Sequence, residues 1–348
     1  MQELRVGIVG AGGIARARHI PSFQKNENVA LVAVADVSTE ALERVKSEFG
    51  VPTTYTDYQK MFEKEQLDAV CVCTPNKYHA PVTIAALRQG MHVLCEKPMA
   101  LNAEESRAMV QAAREAGKIF TIAFHYRHKS ACRSAKRVVE AGELGDVYMV
   151  RVLALRRRGI PSWGVFTNKD MQGGGALVDY GVHLLDLALW LVGNPKVVEV
   201  SGVTSQRLGT RPNVNPWGEW GHENFQVEDH AAAFIRFADG GAMQLEASWA
   251  LNIAESVENV SISGTEGGLD VFPLRVNTAA HGMLVNWTPT WMPGEQGDEG
   301  TRQTADFVDA ILEGRQPLVK AEEALQVSEI VDAIYRSSAS ASAIKLCE

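Results

Sequence analysis

The fold is decided by Leu4-Arg5-Val6-Gly7-Ile8-Val9-Gly10-Ala11-Gly12-Gly13-Ile14-Ala15, an apolar run that leads directly into a glycine-rich turn. The last six residues follow the pattern G-x-G-x-x-A, which is typical of a dinucleotide-binding turn between a strand and a helix. The first glycine permits a tight turn, and the second lets backbone N–H groups approach a pyrophosphate at the helix N-terminus. The stretch therefore predicts that Gly10, Gly12, Gly13 and Ile14 hold a dinucleotide.

A carboxylate ends the next apolar run. Asp36 directly follows Val29–Ala35, about twenty residues beyond the glycine turn. In this position a carboxylate accepts hydrogen bonds from the adenosine ribose hydroxyls and repels a 2′-phosphate. Val37 and Ser38 come next, without a Lys or Arg to hold that phosphate. The segment favours NAD over NADP, with Asp36 as a cap of the following helix as the alternative.

Short apolar runs alternate with amphipathic stretches through the first third of the chain. Apolar strands joined by helical crossovers predict a parallel sheet that is covered on both faces, here a nucleotide-binding domain over residues 1–124. Beyond residue 125 strand-like runs dominate, and Asp239-Gly240-Gly241 is a strong hairpin signal. We predict a second domain over 125–348 with a large, open, mostly antiparallel sheet. The predicted fold class is α/β plus α+β.

Charge and cysteine content argue against several classes of protein. The chain has 34 Lys and Arg against 42 Asp and Glu, a net charge of −8, which disfavours nucleic acid and anionic membranes as partners. Its cysteines, Cys347 included, form no Cys-x-x-Cys pair, and no histidine cluster has zinc spacing, so no metal site is predicted. Without a signal-peptide pattern or a run long enough to span a bilayer, we expect a cytoplasmic protein.

Polar segments follow further predicted strands and would face the cofactor crevice. Thr74-Pro75-Asn76 is followed by His79, and Asn76 would either bind ribose or pyrophosphate or simply begin a helix. Glu96-Lys97-Pro98 follows the apolar run Met91–Cys95. The proline restricts Lys97 to extended geometry and fixes it at the sheet edge, although a solvated surface lysine is the alternative. The predicted cofactor contacts are Thr74, Pro75, Asn76, His79, Glu96 and Lys97.

The region between Gly173-Gly174-Gly175 and Gly193 is apolar almost all round, so we expect a buried helix. Asp179, His183, Asp186 and Trp190 are spaced so that they share one stripe of that helix. Burying two carboxylates and an imidazole is costly unless they pair with each other or face a wet cavity. The stripe predicts a catalytic cleft. The alternative is a core histidine that is satisfied by Asp179 or Asp186.

In this order and at these separations, the elements resemble the glucose–fructose oxidoreductase / inositol dehydrogenase / MocA (Gfo/Idh/MocA) family over nearly the whole chain. Glu96-Lys97-Pro98 and Asp179-x-Gly181-x-His183 together carry the resemblance. It implies a Rossmann domain and a C-terminal sheet through which homodimers or homotetramers form. It also implies a catalytic Lys97 with Asp179 and His183, and a cis peptide bond before Pro98. Arg127 and Trp163 are further expected to approach the nicotinamide or the substrate.

We expect an NAD-dependent oxidoreductase that transfers hydride between nicotinamide C4 and a secondary hydroxyl carbon of a sugar, anhydrosugar or cyclitol. His183 suits the removal of the hydroxyl proton because its ordinary pKa lies near neutrality. Lys97 would stabilise the developing alkoxide, and Asp179 would orient His183 or hold a neighbouring hydroxyl.

A polyol substrate also needs further polar contacts. Arg157 and Trp163 are the predicted ones, with Arg156, Arg158, His222 and the loop 208–225 as wider candidates. The three arginines cannot all reach one ligand if they alternate between the faces of a strand. An NAD-retaining glycosidase of the same superfamily and a non-catalytic dinucleotide sensor are the alternative functions.

Overall fold

The computed structural model describes residues 3–346, so Cys347 lies outside the described residues. The described residues divide into two compact units. The first contains 3–128 and 297–325, and the second contains 129–296 and 326–346.

Parallel strands form the sheet of the first unit. They are β1 (Leu4–Val9), β2 (Val29–Ala35), β3 (Thr53–Tyr55), β4 (Ala69–Val72), β5 (His92–Cys95) and β6 (Phe120–Ile122). Their order across the sheet is β3-β2-β1-β4-β5-β6, so the chain changes direction across the sheet between β1 and β4. Ligands of open parallel sheets bind beyond the carboxyl ends of the strands at such a point. The predicted doubly wound sheet is confirmed, and the glycine turn after β1 lies at this point.

Helices and single turns connect these strands. The helices are α1 (Ile20–Gln24), α2 (Thr39–Phe49), α3 (Tyr58–Lys64), α4 (His79–Arg88) and α5 (Ala103–Ala116); a π-helical turn at Ala15–His19 runs into α1, and 3₁₀ turns span Asn76–Tyr78 and His125–His128. Side-chain caps mark the starts of α2, α3 and α5. Ser38 Oγ accepts the Ala41 N–H at 3.2 Å at the start of α2, and Asn102 Oδ1 accepts the Glu105 N–H at 2.9 Å at the start of α5.

The second unit contains a large mixed sheet. Its strands are β7 (Val147–Leu155), β8 (Val197–Ser205), β9 (His230–Phe237), β10 (Ala242–Ser248), β11 (Val257–Gly264), β12 (Gly267–Val271), β13 (Leu274–Ala280), β14 (Met283–Trp287) and β15 (Ile344–Lys345). Their order is β14-β13-β12-β11-β7-β10-β9-β8-β15. β7 and β10 are parallel, and the other neighbouring pairs are antiparallel within the described residues. The predicted mostly antiparallel sheet is confirmed.

The predicted hairpin turn joins β9 to β10, where Asp239 Oδ1 accepts the Gly241 N–H at 2.9 Å. Strands β12 to β14 extend the sheet beyond the strands that the sequence predicts. Gly267 and Gly268 open β12, and glycine carries no side chain that could contribute to an apolar alternation. The pattern is therefore weak in this part of the chain.

The second unit also contains helical elements, and two of them follow each other without a break along the predicted buried helix. They are α6 (Ser130–Glu140), α7 (Lys169–Gln172), a π-helical turn at Leu177–Gly181 and α8 (Val182–Leu191), with a 3₁₀ turn at His222–Asn224. Every residue of α8 is buried, as the sequence predicts. The π turn was not predicted. Such turns are rare inside helices and often occur at functional sites.

The last helices are α9 (Glu299–Glu313) and α10 (Ala321–Ser340). Residues 297–325 belong to the first unit, which corrects the predicted assignment of all of 125–348 to the second domain. The physical reason is burial: Phe307 and Val308 of α9 lie in the same hydrophobic core as Val6 and Ile8 of β1. Within residues 3–346 no helix is both long enough and apolar enough to cross a bilayer.

Candidate active site

The glycine turn after β1 has two kinds of glycine. Gly10 has φ +102°, and a Cβ there would lie 2.5 Å from the Cys73 carbonyl oxygen, so the protein's own backbone requires glycine. A Cβ on Gly12 or Gly13 would meet no atom within 4 Å. These two positions border open space, and Ile14 beside them is exposed. The turn thus fits the pyrophosphate of a dinucleotide, which needs close approach to backbone N–H groups.

Asp36 ties the end of β2 to this turn. Its Oδ2 accepts the Ala11 N–H at 2.7 Å, and its Oδ1 accepts the Ser38 N–H at 2.8 Å. The cap of α2 is Ser38, so the alternative that Asp36 caps this helix is wrong. A half-buried carboxylate beside the glycine turn is the arrangement expected for binding ribose hydroxyls.

His79 links the two polar segments that follow β4 and β5. Its Nδ1 lies 2.7 Å from the Pro98 carbonyl oxygen, and its Nε2 lies 2.9 Å from the Thr74 carbonyl oxygen. Burial lowers the pKa of His79, although both carbonyls act in the opposite direction. A neutral imidazole has one N–H, so it donates to one of these carbonyls. His79 is buried, and its observed role is to hold the two segments together.

A second buried histidine, His19, supports the lysine segment from the π turn. Its Nε2 donates to Glu96 Oε1 at 2.7 Å, and Glu96 Oε2 accepts the Lys97 N–H at 3.1 Å. Burial would lower the pKa of His19, but the hydrogen bond and the charge of Glu96 act in the opposite direction, and the pKa is raised. Burial would likewise raise the pKa of Glu96, but His19 holds it well below its usual value. His19 and Glu96 therefore form an ion pair. The Lys97–Pro98 peptide bond is cis, as predicted.

His19 was not predicted from the sequence, and the buried thiols of Cys71 and Cys73 lie beside it. One ligand atom each from His19, Cys71 and Cys73 lies within 4.8 Å of the other two, a spacing that would suit a metal ion. Burial raises the pKa of Cys73 well above its usual value, and it also raises that of Cys71. The two buried thiols pack as small hydrophobes, and both cysteines lie in the same hydrophobic core as Val6 and Ile8 of β1.

Arg127 has a different role from the predicted contact with nicotinamide or substrate. Its side chain has 0% exposure. The Nη1 group forms an ion pair with Glu323 and donates to the Leu318 carbonyl oxygen at 3.3 Å. A guanidinium without exposed surface cannot touch a ligand in this structure, so Arg127 anchors the returning segment 318–323 within the first unit.

In the second unit, Asp179 lies in the π turn and His183 follows in the first turn of α8. Asp179 Oδ2 accepts the Trp249 Nε1–H at 2.9 Å and lies 3.5 Å from Arg156 Nη1. His183 is 7% exposed, and Asp186 is fully buried. The structure thus places a charged, hydrogen-bonded carboxylate one helical turn before the imidazole.

Arg156 is the arginine beside Asp179, and Arg157 is not. Arg157 is exposed, and its Nη1 donates to the Ala254 carbonyl oxygen at 3.0 Å. The substrate contact predicted for Arg157 stays a prediction. The guanidinium carbon of Arg156 lies 4.3 Å from the centre of the Tyr180 ring and 4.6 Å from that of Trp217. The three arginines do not alternate between the faces of a strand, because β7 ends at Leu155.

The glycines before the π turn serve the packing of the protein. A Cβ on Gly174 would lie 2.0 Å from the Tyr335 hydroxyl oxygen, and one on Gly175 would lie 2.0 Å from the Glu228 carbonyl oxygen. The Glu228 carboxylate accepts the N–H groups of Gly175 and Leu177 at 2.8 and 2.9 Å, and the Tyr335 O–H at 3.0 Å. Burial raises the pKa of Glu228 despite these donors. The glycine run lets this carboxylate anchor the start of the π turn.

Trp163 is exposed, as a substrate contact requires. It lies beside Trp217, which was not predicted as an individual residue. Its ring centre lies 5.5 Å from that of Trp217 and 6.2 Å from that of Phe166. Trp217 belongs to the loop 208–225, which the sequence analysis named only as a whole. A contact between segments so far apart in the chain leaves no signal in either of them.

Comparisons with known proteins agree with this architecture. Residues 4–124 match the oxidoreductase family with an NAD-binding Rossmann fold, and residues 132–270 match the GFO/IDH/MocA C-terminal domain. The chain is 36% identical over 346 residues to the D-glucoside 3-dehydrogenase of Escherichia coli strain K12, which covers 99% of this chain and 97% of that protein. It is 28% identical to D-xylose 1-dehydrogenase (NADP(+)) 2 of Haloferax volcanii, over 98% of this chain and 99% of that one.

Solved structures show the same similarity over the full length. A levoglucosan dehydrogenase in complex with NADH and levoglucosan aligns with a TM-score of 0.86 at 26% identity, over 100% of both chains. These relatives are thus sugar dehydrogenases, and one matched family model lies in each of the two units described above. The chain belongs to the Gfo/Idh/MocA family of oxidoreductases.

Proposed function

We propose that the protein is an NAD-dependent dehydrogenase that acts on a secondary hydroxyl carbon of a sugar, anhydrosugar or cyclitol. The proposal rests on the open space beside Gly12 and Gly13, which no other atom of the protein fills. The relatives named above, which include a glucoside dehydrogenase and a levoglucosan dehydrogenase, support a sugar as the substrate.

NAD is the proposed cofactor, and when bound its nicotinamide accepts hydride from the carbinol carbon or returns it. The proposed pyrophosphate contacts are the backbone groups from Gly10 to Ile14, and Asp36 would accept the ribose hydroxyls. Thr74, Pro75, Asn76, Glu96 and Lys97 are the other proposed contacts. The NADP-dependent relative from Haloferax volcanii makes the choice between the two cofactors a question for measurement.

The proposed chemistry of the chain itself is a proton transfer with charge stabilisation. His183 removes the proton from the substrate hydroxyl oxygen while hydride leaves the carbon that carries this oxygen, and it returns the proton in the reverse direction. The ammonium of Lys97 stabilises the negative charge that develops on the oxygen. Asp179 carries a negative charge one turn before His183, where it orients the imidazole or accepts a substrate hydroxyl. Trp163 and Arg156 are the proposed further substrate contacts.

We also propose a homodimer or homotetramer that forms through the sheet of the second unit. The face of β7, β8 and β9 that carries Leu153, Val203 and Phe234 leaves these apolar side chains half-buried or exposed. Sedimentation velocity measures the assembly directly. The proposed location is the cytoplasm, because Cys71, Cys73, Cys95 and Cys132 are free thiols, as is usual in reducing compartments.

The test is the formation of NADH from NAD with a panel of inositols, aldoses, methyl glucosides and anhydrosugars. We expect His183→Ala and Lys97→Ala each to lower kcat by about 100-fold or more, because each removes a group that acts in the transition state. Binding of NAD, measured by calorimetry, should change little. Matched controls are the exposed His281 and Lys60, each replaced by Ala. Turnover close to that of the wild type in both active-site variants would refute the assignment.

A further inference from the structure

Trp163 and Trp217 form an exposed aromatic pair on the second unit. They are 55% and 40% exposed, and their rings are tilted by 43° at a centroid distance of 5.5 Å. An indole has a large apolar surface that usually stabilises a protein by being buried. Tryptophan also offers rigid contact area to a ligand at a low cost in conformational entropy. A fixed pair of exposed indoles is therefore typical of a binding surface.

The segments that carry the two rings are fastened to each other. Ser162 Oγ donates to the Trp217 carbonyl oxygen. The Asn215 side chain accepts the Ile160 N–H at 3.2 Å and donates to the carbonyl oxygens of Ile160 and Gly218 at 2.8 and 2.9 Å. These bonds hold the two loops in one arrangement, so the aromatic surface is preformed.

Close packing at Gly159 joins the pair to Arg156. A Cβ on Gly159 would lie 2.8 Å from Arg156 Cδ and 3.5 Å from Trp217 Cη2, so a side chain there would displace the arginine from its place beside the indole. The Arg156 guanidinium carbon lies close to the centres of both the Trp217 and the Tyr180 rings. Its Nη1 lies 3.5 Å from Asp179 Oδ2. An unbroken series of contacts thus runs from Asp179 through Arg156 and Trp217 to Trp163.

We infer that Trp163 and Trp217 form a subsite for a second pyranose ring, so that the substrate is a disaccharide or a glycoside of similar size. The inference rests on the proposed function, since it takes Asp179 to hold the ring that is oxidised. A ligand held at Asp179 and extended along these contacts passes Arg156 and Trp217 before it reaches Trp163, and a second ring on a glycosidic bond supplies such an extension. The apolar C–H face of a pyranose suits an indole, and its hydroxyl edge suits the guanidinium. A cyclitol offers no second ring.

Exposure alone does not identify the subsite, because Trp291 is 70% exposed on the same unit. What sets Trp163 and Trp217 apart is the link through Arg156 to Asp179. Trp291 therefore provides a matched control, since Trp291→Ala removes an exposed indole that belongs to no part of the proposed site.

The test compares the binding of one ring and of two rings. Dissociation constants are measured by calorimetry, in the presence of NADH so that no sugar is oxidised, for methyl α- and β-D-glucopyranoside and for maltose and cellobiose. In the wild type we expect at least one disaccharide to bind about tenfold more tightly than its methyl glucoside. Trp163→Ala and Trp217→Ala should each reduce this ratio towards one, Trp163→Phe should retain part of it, and Trp291→Ala should preserve it.

Each outcome decides one question. A wild-type ratio near one for both pairs, or a ratio that survives both alanine variants, overturns the second-ring subsite even if the enzyme oxidises monosaccharides. Loss of the ratio in Trp163→Ala and Trp217→Ala, but not in Trp291→Ala, establishes the subsite. Because binding is measured without turnover, tight disaccharide binding with no NADH formed would refute the proposed dehydrogenase while leaving the subsite intact.

Discussion

Gly12 and Gly13 precede the π turn at Ala15–His19, and Gly174 and Gly175 precede the π turn at Leu177–Gly181. In sequence the two glycine-rich turns look alike. A Cβ at either of the first two positions would meet nothing within 4 Å, whereas one at either of the second two would lie 2.0 Å from another atom of the protein. A glycine run thus marks a need for space, and only the structure shows whether a ligand or the protein itself fills that space.

The carboxylates near the two turns differ as well. Glu96 faces His19, and the two form a buried ion pair near the first turn. Glu228 accepts N–H groups of the second turn and the Tyr335 O–H, and these donors are neutral. The first arrangement depends on the charge of an imidazole, whereas the second depends on hydrogen bonds to groups that do not titrate near neutral pH.

The largest expected effect tests the open turn. We expect Gly12→Val to raise the dissociation constant of NAD by about 100-fold, or roughly 2.7 kcal/mol, because its methyl groups fill the space where pyrophosphate would approach the backbone. The unfolding midpoint should stay close to that of the wild type. Calorimetric titration with NAD and thermal denaturation measure the two quantities.

Gly10→Ala is the control for this prediction. Its Cβ would lie 2.5 Å from the Cys73 carbonyl oxygen at a positive φ, so this variant should lower the unfolding midpoint. If Gly12→Val binds NAD as the wild type does, the open space is not the cofactor site.

The next effect tests the filled turn. We expect Gly175→Ala to destabilise the protein by about 2 kcal/mol, because its Cβ would overlap the Glu228 carbonyl oxygen and force the turn apart. Urea denaturation measures the loss, and the dissociation constant of NAD should be unchanged. The matched variant Gly12→Ala should have wild-type stability. Equal stability of the two alanine variants would contradict the contrast between the turns.

The smallest effect concerns pH. The pKa of His19 is raised above 6.5 in the folded protein, so its contribution to stability is complete below that value and is lost as pH rises through the folded pKa. The pKa of Glu96 is lowered from 4.5, so its contribution is present above 4.5 and is lost as pH falls. The ion pair therefore stabilises the fold fully only between these two values.

The His19 contribution makes the free energy of unfolding of the wild type fall as pH rises from mildly acidic to mildly alkaline. We expect His19→Gln to reduce this fall by about 1 kcal/mol. Tyr335→Phe removes a hydrogen bond to Glu228 and should lower stability by about 1 kcal/mol at every pH in that range. Denaturation curves across the range distinguish the two patterns. A His19→Gln variant with the pH dependence of the wild type would show that the pair is not ionic.

Much of the first unit could be predicted because its signals are local. The turn from Gly10 to Ile14, the carboxylate Asp36 and the Lys97–Pro98 segment are each read from a few consecutive residues whose geometry is fixed by the strands before them. The partner of Glu96 could not be predicted. His19 lies 77 residues away, and a single histidine after a helix start carries no signal of what it will contact.

The second unit was predicted less completely for the same reason. The buried helix α8 follows from its apolar composition, which is local. Which arginine lies beside Asp179 depends on how the chain leaves β7, and the bond from Trp249 to Asp179 depends on the packing of the π turn against the end of β10. Side chains that meet through tertiary structure are the part of the candidate site that the sequence does not reveal.

The return of α9 to the first unit has a consequence for synthesis of the protein. Phe307 and Val308 complete the hydrophobic core that begins with β1, so the ribosome must translate most of the chain before that core can close. While the second unit is being made, the emerging nucleotide-binding sheet lacks part of its apolar cover. Nascent chains are therefore most exposed to chaperones and proteases during that interval.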